Sequence, residues 1–207
     1  MNIYKVYAAF SGPFRKKRMH AFCLLFGVTT DTRILDVGGY PMNWKLCRFK
    51  PLVTIANLDS CSEMLDDGFQ AVRADGCRLP FRERSFPIVY SNSVIEHLGC
   101  WDRQMLMAQE IRRVGVHYFV QTPNYWFPVE PHYLTPFFQF LSPTLQKRMA
   151  RCGTVWGLIS RPSREQVFSM VEQIALLTEK KMRLLFPEAT ILREKFCGLT
   201  KAIVAYH

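Results

Sequence analysis

Two short segments of this chain carry residues that can move a proton. His97 directly follows Glu96, and because an imidazole titrates near neutrality, His97 is a candidate base toward a hydroxyl group. The alternative is that the Glu96-His97 pair only fastens the helix after the strand. Glu130 and His132 lie two residues apart in a proline-rich stretch, where an extended backbone directs both side chains to one side. They form either a base with its orienting carboxylate or a pin for the loop.

A second set of candidates lies at the ends of apolar runs that predict buried β-strands. The run 33–37 includes Asp36 and leads into a turn at Gly38-Gly39, where glycines allow positive φ. The run 52–58 ends at Asp59, 23 residues after Asp36, close to the spacing at which doubly wound sheets place an acid on a ribose hydroxyl. Since ligands bind at the carboxyl edge of such sheets, the two strand ends together predict an adenosine site.

The glycine turn also indicates which cofactor fits. A dinucleotide site requires G-x-G-x-x-G, because the pyrophosphate approaches the backbone closely and rests on a helix N-terminus. Here the turn reads Gly38-Gly39-Tyr40-Pro41. Loss of the later glycines disfavours a pyrophosphate but is tolerable for S-adenosylmethionine (SAM), which has no phosphate and carries a positive sulfonium. Acidic residues at successive strand ends, Asp36, Asp59 and Asp75, suit that cofactor.

The elements that position these residues alternate between apolar runs and helical segments. Strands are predicted over 33–37, 52–58, 70–74, 86–90, 116–121, 190–196 and 200–206, and helices over 43–50, 62–65, 101–113, 164–177 and 179–186. This alternation favours parallel βαβ units in an α/β fold, and the turn at 197–199 predicts a closing antiparallel hairpin.

Four motifs in register resemble those of class I SAM-dependent methyltransferases. They are ILDVGG at 34–39, Asp59, ADG at 74–76 with LPF at 79–81, and VYSNSVIEHL at 89–98. LFP at 185–187 and GLTK at 198–201 are similar to the family's last helix and hairpin. The resemblance implies a Rossmann-like, doubly wound, seven-stranded sheet, mostly parallel with a reversed last strand and helices on both faces.

The resemblance also implies roles for residues at the strand ends, each with a structural alternative. Asp36, beside Gly38 and Gly39, would face the methionine ammonium, Asp59 the ribose hydroxyls and Asp75 the adenine amino group. Ser60 and Gly76 are further candidate cofactor contacts. Ser91, Asn92 and Ser93 follow the fourth predicted strand, where the transferred methyl group would lie. The alternatives are a plain strand-to-helix turn at Asp36, a helix N-cap at Asp59 and a β-turn at Asp75.

Length and composition predict a folded chain with a single domain. Its 207 residues are 49% hydrophobic and 21% charged, which is typical of a globular protein. We divide the chain into a helical lead-in (1–32), a cofactor-binding half (33–122), an aromatic and proline-rich acceptor cap (123–177) and a closing helix with a hairpin (178–207). The seven cysteines are widely spaced with no C-x-x-C pair, so neither a disulfide framework nor a metal site is predicted.

The charge of +10 bears on partners and location. A basic surface attracts phosphates, anionic lipids or nucleic acid, and the clusters 15–18 and Lys147, Arg148 and Arg151 are either solvated helix faces or anion contacts. No apolar run reaches the length of a bilayer span, and the basic residues 15–18 interrupt any signal-peptide pattern. A cytoplasmic location is expected, with peripheral membrane contact through the basic clusters as a further possibility.

The sequence thus predicts a methyltransferase that uses SAM, yields S-adenosylhomocysteine (SAH) and acts on a small-molecule or lipid-like acceptor at oxygen. Dense aromatic residues in the cap favour an apolar or flat acceptor. An RNA methyltransferase is the first alternative, because of the charge, although no separate RNA-binding module fits in the chain. A noncatalytic binding protein on the same fold is the second, because Tyr40 and Pro41 stand where the family usually has a glycine loop.

Overall fold

The computed structural model describes residues 3–58 and 69–207. In chain order its strands are β1 (Arg33–Val37), β2 (Leu52–Asn57), β3 (Phe69–Arg73), β4 (Phe86–Asn92), β5 (Gly115–Pro123), β6 (Val129–Glu130), β7 (Thr135–Pro136), β8 (Thr190–Phe196) and β9 (Leu199–Tyr206). Within the described residues, seven of these strands form one sheet in the order β3-β2-β1-β4-β5-β9-β8. β1 to β5 are parallel, whereas β9 runs antiparallel to β5. The predicted doubly wound sheet with a reversed last strand is confirmed.

The closing hairpin follows from its two turn residues. Cys197 and Gly198 both have positive φ, 48° and 80°, which is the backbone of a two-residue hairpin turn whose twist matches the flanking strands. β8 and β9 pair from Phe196 and Leu199 outward. The hairpin predicted from sequence is therefore present, with its second strand one residue longer at the start.

The helices cover both faces of the sheet and build the cap. They are α1 (Ile3–Leu25), α2 (Pro41–Trp44), α3 (Trp101–Val114), α4 (Pro143–Met149), α5 (Val155–Ser160), α6 (Arg164–Gln173) and α7 (Glu179–Leu185), with 3-10 turns at Ile95–Leu98 and Phe138–Phe140. The predicted helix 62–65 lies outside the described residues. None of the helices in the described part of the chain has the length and apolarity needed to span a membrane.

Two helices differ from their predicted bounds for local reasons. The helix predicted over 43–50 is instead α2, which begins at Pro41, because proline at the first helical position has no N–H to leave unsatisfied. The helix predicted over 164–177 ends at Gln173. Beyond it the chain is extended, and the Ala175 amide donates to the Glu96 carbonyl at 2.7 Å. The extended segment thereby joins the cap to the carboxyl edge of the sheet.

One apolar layer lies between the sheet and α1. Phe22 of α1 is fully buried and packs edge-on against Tyr90 of β4 and Phe119 of β5, with ring centroids 4.9 and 5.3 Å apart. Burial of one such side chain contributes about 1.5–3 kcal/mol. The opposite layer, under α3 and α7, contains buried Met107, Ile111 and Met182.

The predicted cap segment has an apolar cluster of its own. Tyr133 and Phe138 are buried there beside Val167 and Val171 of α6, and the Tyr133 and Phe138 rings lie 4.4 Å apart. Most of the predicted aromatic set therefore contributes to packing. Trp126, Phe137 and Phe140 are exceptions, because 65%, 60% and 42% of their surfaces are exposed.

Candidate functional site

The turn after β1 is built around two glycines. Gly38 has φ +73°, and a Cβ added there would lie 2.4 Å from Val94. A Cβ added at Gly39 would lie 1.8 Å from Asp36 Oδ2. The Gly38 amide donates to the Ala56 carbonyl of β2 at 2.7 Å. The turn therefore lies at the carboxyl edge of the sheet, against the carboxylate of Asp36, and does not accommodate larger residues.

Asp36 is a buried acid with one free oxygen. Its Oδ2 accepts a hydrogen bond from the Trp44 indole at 2.7 Å, whereas its Oδ1 is buried with no hydrogen-bond partner among the described residues. Burial raises the pKa of Asp36 to about 7, although the Trp44 hydrogen bond opposes the shift. A cationic group beside the carboxyl would restore its charge. Sequence reasoning missed Trp44 as the residue that orients this acid.

The residues predicted to bind the adenosine do not share one environment in the structure. Asp59 and Ser60 lie outside the described residues. Asp75 forms an exposed ion pair with Arg103 at 3.0 Å, and its pKa is lowered by a hydrogen bond from the Cys77 amide and by Arg103. Gly76 faces the core, where an added Cβ would lie 3.0 Å from Val37.

A cleft of about 410 Å³ opens at this edge of the sheet. Leu58, which ends the second predicted strand, lines it together with Arg103, the partner of Asp75, and His97. Glu172 and Gln173 of α6 close it from the cap side. Of the predicted site residues in the described part of the chain, His97 lines this cleft, and Asp75 is connected to it only through its ion pair with Arg103.

The three residues predicted to follow the fourth strand have separate contacts, and two of them, Ser91 and Asn92, are in fact the last residues of β4. Ser91 is fully buried and donates its hydroxyl to the Val37 carbonyl at 3.0 Å, so its side chain ties β4 to β1. Ser93, at φ +56°, donates to Gln121 Oε1 at 2.8 Å. The Asn92 side-chain oxygen accepts a hydrogen bond from Arg18.

Arg18 lies near the carboxyl edge of the sheet and is buried, contrary to the solvated position that its basic neighbours in the sequence indicate. We interpreted the cluster 15–18 as a solvated face or an anion contact, but Arg18 is only 7% exposed and forms a bidentate pair with Glu194 at 2.5 and 2.6 Å. It also donates to Gln121 at 2.9 Å. Arg18 therefore links α1 to β4, β5 and β8 and is not available to a membrane or nucleic acid.

The three predicted catalytic residues form one chain of contacts. Glu130 Oε1 lies 2.7 Å from His132 Nδ1, and His132 Nε2 lies 3.2 Å from His97 Nε2. Glu130 Oε2 accepts from the Tyr133 amide at 2.7 Å, and the Tyr7 hydroxyl donates to the His132 carbonyl. Glu130 therefore both orients the imidazole and pins the loop, the two roles that the sequence left open.

The environment shifts the pKa values of this group. Burial raises the pKa of Glu96 to about 7, against the influence of nearby His132. Burial alone would lower the pKa of His132, but the nearby Glu130 carboxylate has the larger effect, so the pKa of His132 is raised. The pKa of His97 is lowered to about 4 by desolvation and by His132. His97 lines the cleft, so a proton from a hydroxyl group placed there can pass through His97 to His132, the more basic imidazole of the two.

Part of this chain is similar in sequence to known proteins. A family model described as a methyltransferase domain matches residues 35–116. Two uncharacterized proteins from two strains of Mycobacterium tuberculosis are each 36% identical over 56 residues, which is 27% of this chain and 19% of the relative. The chain therefore spans less than a fifth of the length of the curated relatives that it matches.

Solved structures share the fold at low sequence identity. A magnesium protoporphyrin IX methyltransferase from Synechocystis with bound SAH has a TM-score of 0.60 at 10% identity, over 100% of this chain and 87% of that one. A SAM-dependent methyltransferase from Aquifex aeolicus has a TM-score of 0.54 at 12% identity, over 91% and 87%. A phosphoethanolamine N-methyltransferase from Haemonchus contortus, in complex with SAM, has a TM-score of 0.55 at 15% identity, over 86% and 38%.

Proposed function

We propose that this chain, whose residues 35–116 match a family model described as a methyltransferase domain, transfers a methyl group from SAM to an oxygen atom of a small-molecule or lipid-like acceptor. The observation that carries the proposal is the position of two groups at the same edge of the sheet. One is the Asp36 turn after β1, and the other is the contact chain Glu130–His132–His97.

The turn after β1 fits the proposed cofactor. SAM, when bound, supplies an activated methyl group on a sulfonium. The buried Oδ1 of Asp36 has no hydrogen-bond partner among the described residues, so it can accept from the cofactor's ammonium group. Gly39 leaves no Cβ between the turn and that carboxylate. The chain itself thus provides a negative site beside a close backbone approach, which suits a cation without a phosphate.

The contact chain supports oxygen as the acceptor atom. A hydroxyl group needs to lose its proton as its oxygen attacks, and Glu130 holds the His132 imidazole in a fixed orientation for that task. Methyl transfer otherwise depends mainly on holding the acceptor in line with the methyl carbon. The cap provides the walls, including a second cavity of about 200 Å³ between Tyr125, Glu130 and Phe138.

The surface of the cap supports a lipid-like acceptor. Exposed Trp126 and Phe137 form an aromatic patch with Phe140, whose ring lies 5.9 Å from that of Trp126. Exposed Arg148 follows on α4, whereas Lys147 is paired with Glu172 at 2.7 Å. Aromatic side chains next to basic ones suit the boundary between apolar chains and anionic head groups.

Calorimetric titration with SAM and SAH tests the cofactor. We expect one site with micromolar affinity for each ligand, equivalent to about 8 kcal/mol. Absence of binding to both ligands would instead favour a noncatalytic protein on this fold, in which Tyr40 and Pro41 block the site.

Binding of SAH should depend on pH through Asp36. With a folded-state pKa of about 7, this acid is protonated below pH 7 and must ionise to accept an ammonium group. SAH affinity should therefore rise about tenfold per pH unit between about pH 5 and pH 7 and then level off, with one proton released per ligand bound at the acidic end. Asp36→Asn should bind more weakly and lose the slope. An unchanged slope in that variant would exclude Asp36 as the titrating group.

The acceptor class can be separated by methyl transfer from radiolabelled SAM to lipid, small-molecule and RNA fractions. We expect label in the lipid or small-molecule fraction, and His132→Ala should lower the rate by about 10²–10⁴ while SAH affinity is retained. The exposed His20 provides a matched variant, His20→Ala, that should keep the full rate. Label confined to RNA, with affinity falling steeply as salt increases, would replace this acceptor by RNA.

A further inference from the structure

We propose that Glu96, His97 and His132 form a binding site for a divalent metal ion, with Zn²⁺ as the best fit. One ligand atom from each residue lies within 4.8 Å of the others. The two Nε2 atoms are 3.2 Å apart. Two nitrogens bound to one tetrahedral zinc at about 2.0–2.1 Å lie roughly 3.3–3.4 Å apart, so both imidazoles are already spaced as zinc ligands.

Hydrogen bonds with neighbouring residues orient one histidine ligand, His132, and the carboxylate ligand, Glu96. Glu130 Oε1 accepts the Nδ1 proton of His132, which leaves the Nε2 lone pair directed toward His97. Thr122 donates its hydroxyl to Glu96 Oε2 at 3.1 Å and orients that carboxylate. Carboxylate support behind a ligating histidine is the usual arrangement around bound metal ions.

Glu96 gives an independent reason for a cation at this place. Its side chain is fully buried, and its Oε1 has no hydrogen-bond partner among the described residues. A buried carboxylate oxygen without a partner is costly unless the group is protonated or coordinates a metal. A bound cation would supply the partner that Glu96 Oε1 lacks.

The cysteine spacing gave no indication of this site because its ligands are of other types. His132 is 35 residues from His97, in a loop that only the folded sheet brings beside the turn after β4. Two histidines and one carboxylate leave a fourth position free, which is typical of catalytic rather than structural zinc. His97 also lines the 410 Å³ cleft, so the free position is close to the proposed acceptor.

The use of the metal in catalysis rests on the proposed function and would replace His132 as the proton acceptor, because the Nε2 lone pair of His132 would then bind the metal. An acceptor hydroxyl in the fourth position would have a lowered pKa and release its proton to water. Its oxygen then forms a bond to the methyl carbon as the carbon–sulfur bond breaks, and the sulfur keeps the electron pair. The metal changes no oxidation state in this step.

Metal binding can be tested without any acceptor. The chain, treated with EDTA and dialysed, is titrated with ZnCl2 by calorimetry and with CoCl2 by visible absorption, which distinguishes nitrogen and oxygen ligands from the thiolates of exposed cysteines. We expect one site with a dissociation constant of about 1 μM or tighter. His97→Ala and His132→Ala should weaken binding at least 100-fold, and Glu130→Gln about 10–100-fold.

Controls separate this site from other histidines and from misfolding. His117 is exposed, and its ring lies 6.2 Å from that of His207, so His117→Ala tests adventitious binding and should leave the affinity unchanged. Glu96→Gln keeps the Thr122 hydrogen bond, and thermal unfolding without metal shows whether each variant is folded. Equal zinc affinity in wild type and in the folded His97→Ala and His132→Ala variants would overturn the proposal.

The same sample titrated with SAH keeps the two proposals apart. SAH binding without zinc binding would remove the metal site and leave the methyltransferase proposal intact. Zinc binding without SAH binding would establish the metal site on a chain that does not use the cofactor.

Discussion

Gly39→Ala is expected to abolish detectable SAH binding, with an affinity loss of at least 100-fold, and to destabilise the fold by roughly 1–3 kcal/mol. The added methyl group would lie 1.8 Å from Asp36 Oδ2 and 2.1 Å from its Cγ. Asp36 is fully buried and held by Trp44, so its carboxylate has no free direction in which to move. Either the turn or the acid must therefore leave the position in which we propose that it binds the cofactor's ammonium group. Calorimetry and urea unfolding measure the two effects.

A matched glycine and a double variant identify the cause of the Gly39→Ala effect. Gly12 lies in α1 with nothing within 4 Å of its Cβ position, so Gly12→Ala should bind SAH normally. Gly39→Ala combined with Asp36→Ala removes the clash, and should recover most of the lost stability but none of the binding. Normal SAH binding by Gly39→Ala alone would show that the cofactor does not use this turn.

The seven strands of the main sheet could be predicted because their signals are local, whereas the doubly wound arrangement was expected only from the resemblance to a known family. β1 and β4 lie inside the sheet and are largely buried, so each reads as a short, mostly apolar run. The sequence also predicts that Glu130 and His132 lie on one side of an extended backbone. Their contact is present, but Pro131 and His132 lie in the turn between β6 and β7, so the predicted backbone was wrong. The contact of His132 with His97 could not be predicted, because the distance between two loops depends on the whole sheet.

The roles of Trp44 and Arg18 could not be predicted from the sequence, because they depend on contacts with residues that lie outside the local pattern. Trp44 was placed in a helix from its neighbours, but its hydrogen bond to Asp36 depends on how tightly the glycine turn folds back. Arg18 lies in a basic run typical of a solvated helix, and its partner Glu194 is 176 residues away. A charge is buried only where the tertiary structure supplies an opposite charge, and no local pattern contains that information.

Arg18→Met is expected to destabilise the protein by about 3–5 kcal/mol, because it leaves the Glu194 carboxylate poorly solvated and without its partner. For a chain of this size the midpoint of thermal unfolding should fall by about 10 °C. The substitution also removes the donor to Asn92 and Gln121, so the turn after β4 should loosen and SAH affinity should decline as well. Chemical denaturation gives the free energy of unfolding directly.

Burial, and not the number of contacts, should set the size of that effect. Arg112 and Glu188 form an ion pair at 2.8 Å with side chains 34% and 53% exposed, against 7% and 12% for Arg18 and Glu194. Arg112→Met should therefore cost less than about 1 kcal/mol. Arg18→Met combined with Glu194→Leu should regain much of the stability lost by Arg18→Met, since no unpaired charge then remains. If Arg18→Met and Arg112→Met proved equally mild, solvent would reach the Glu194 carboxylate, and α1 would not be anchored to the sheet by this pair.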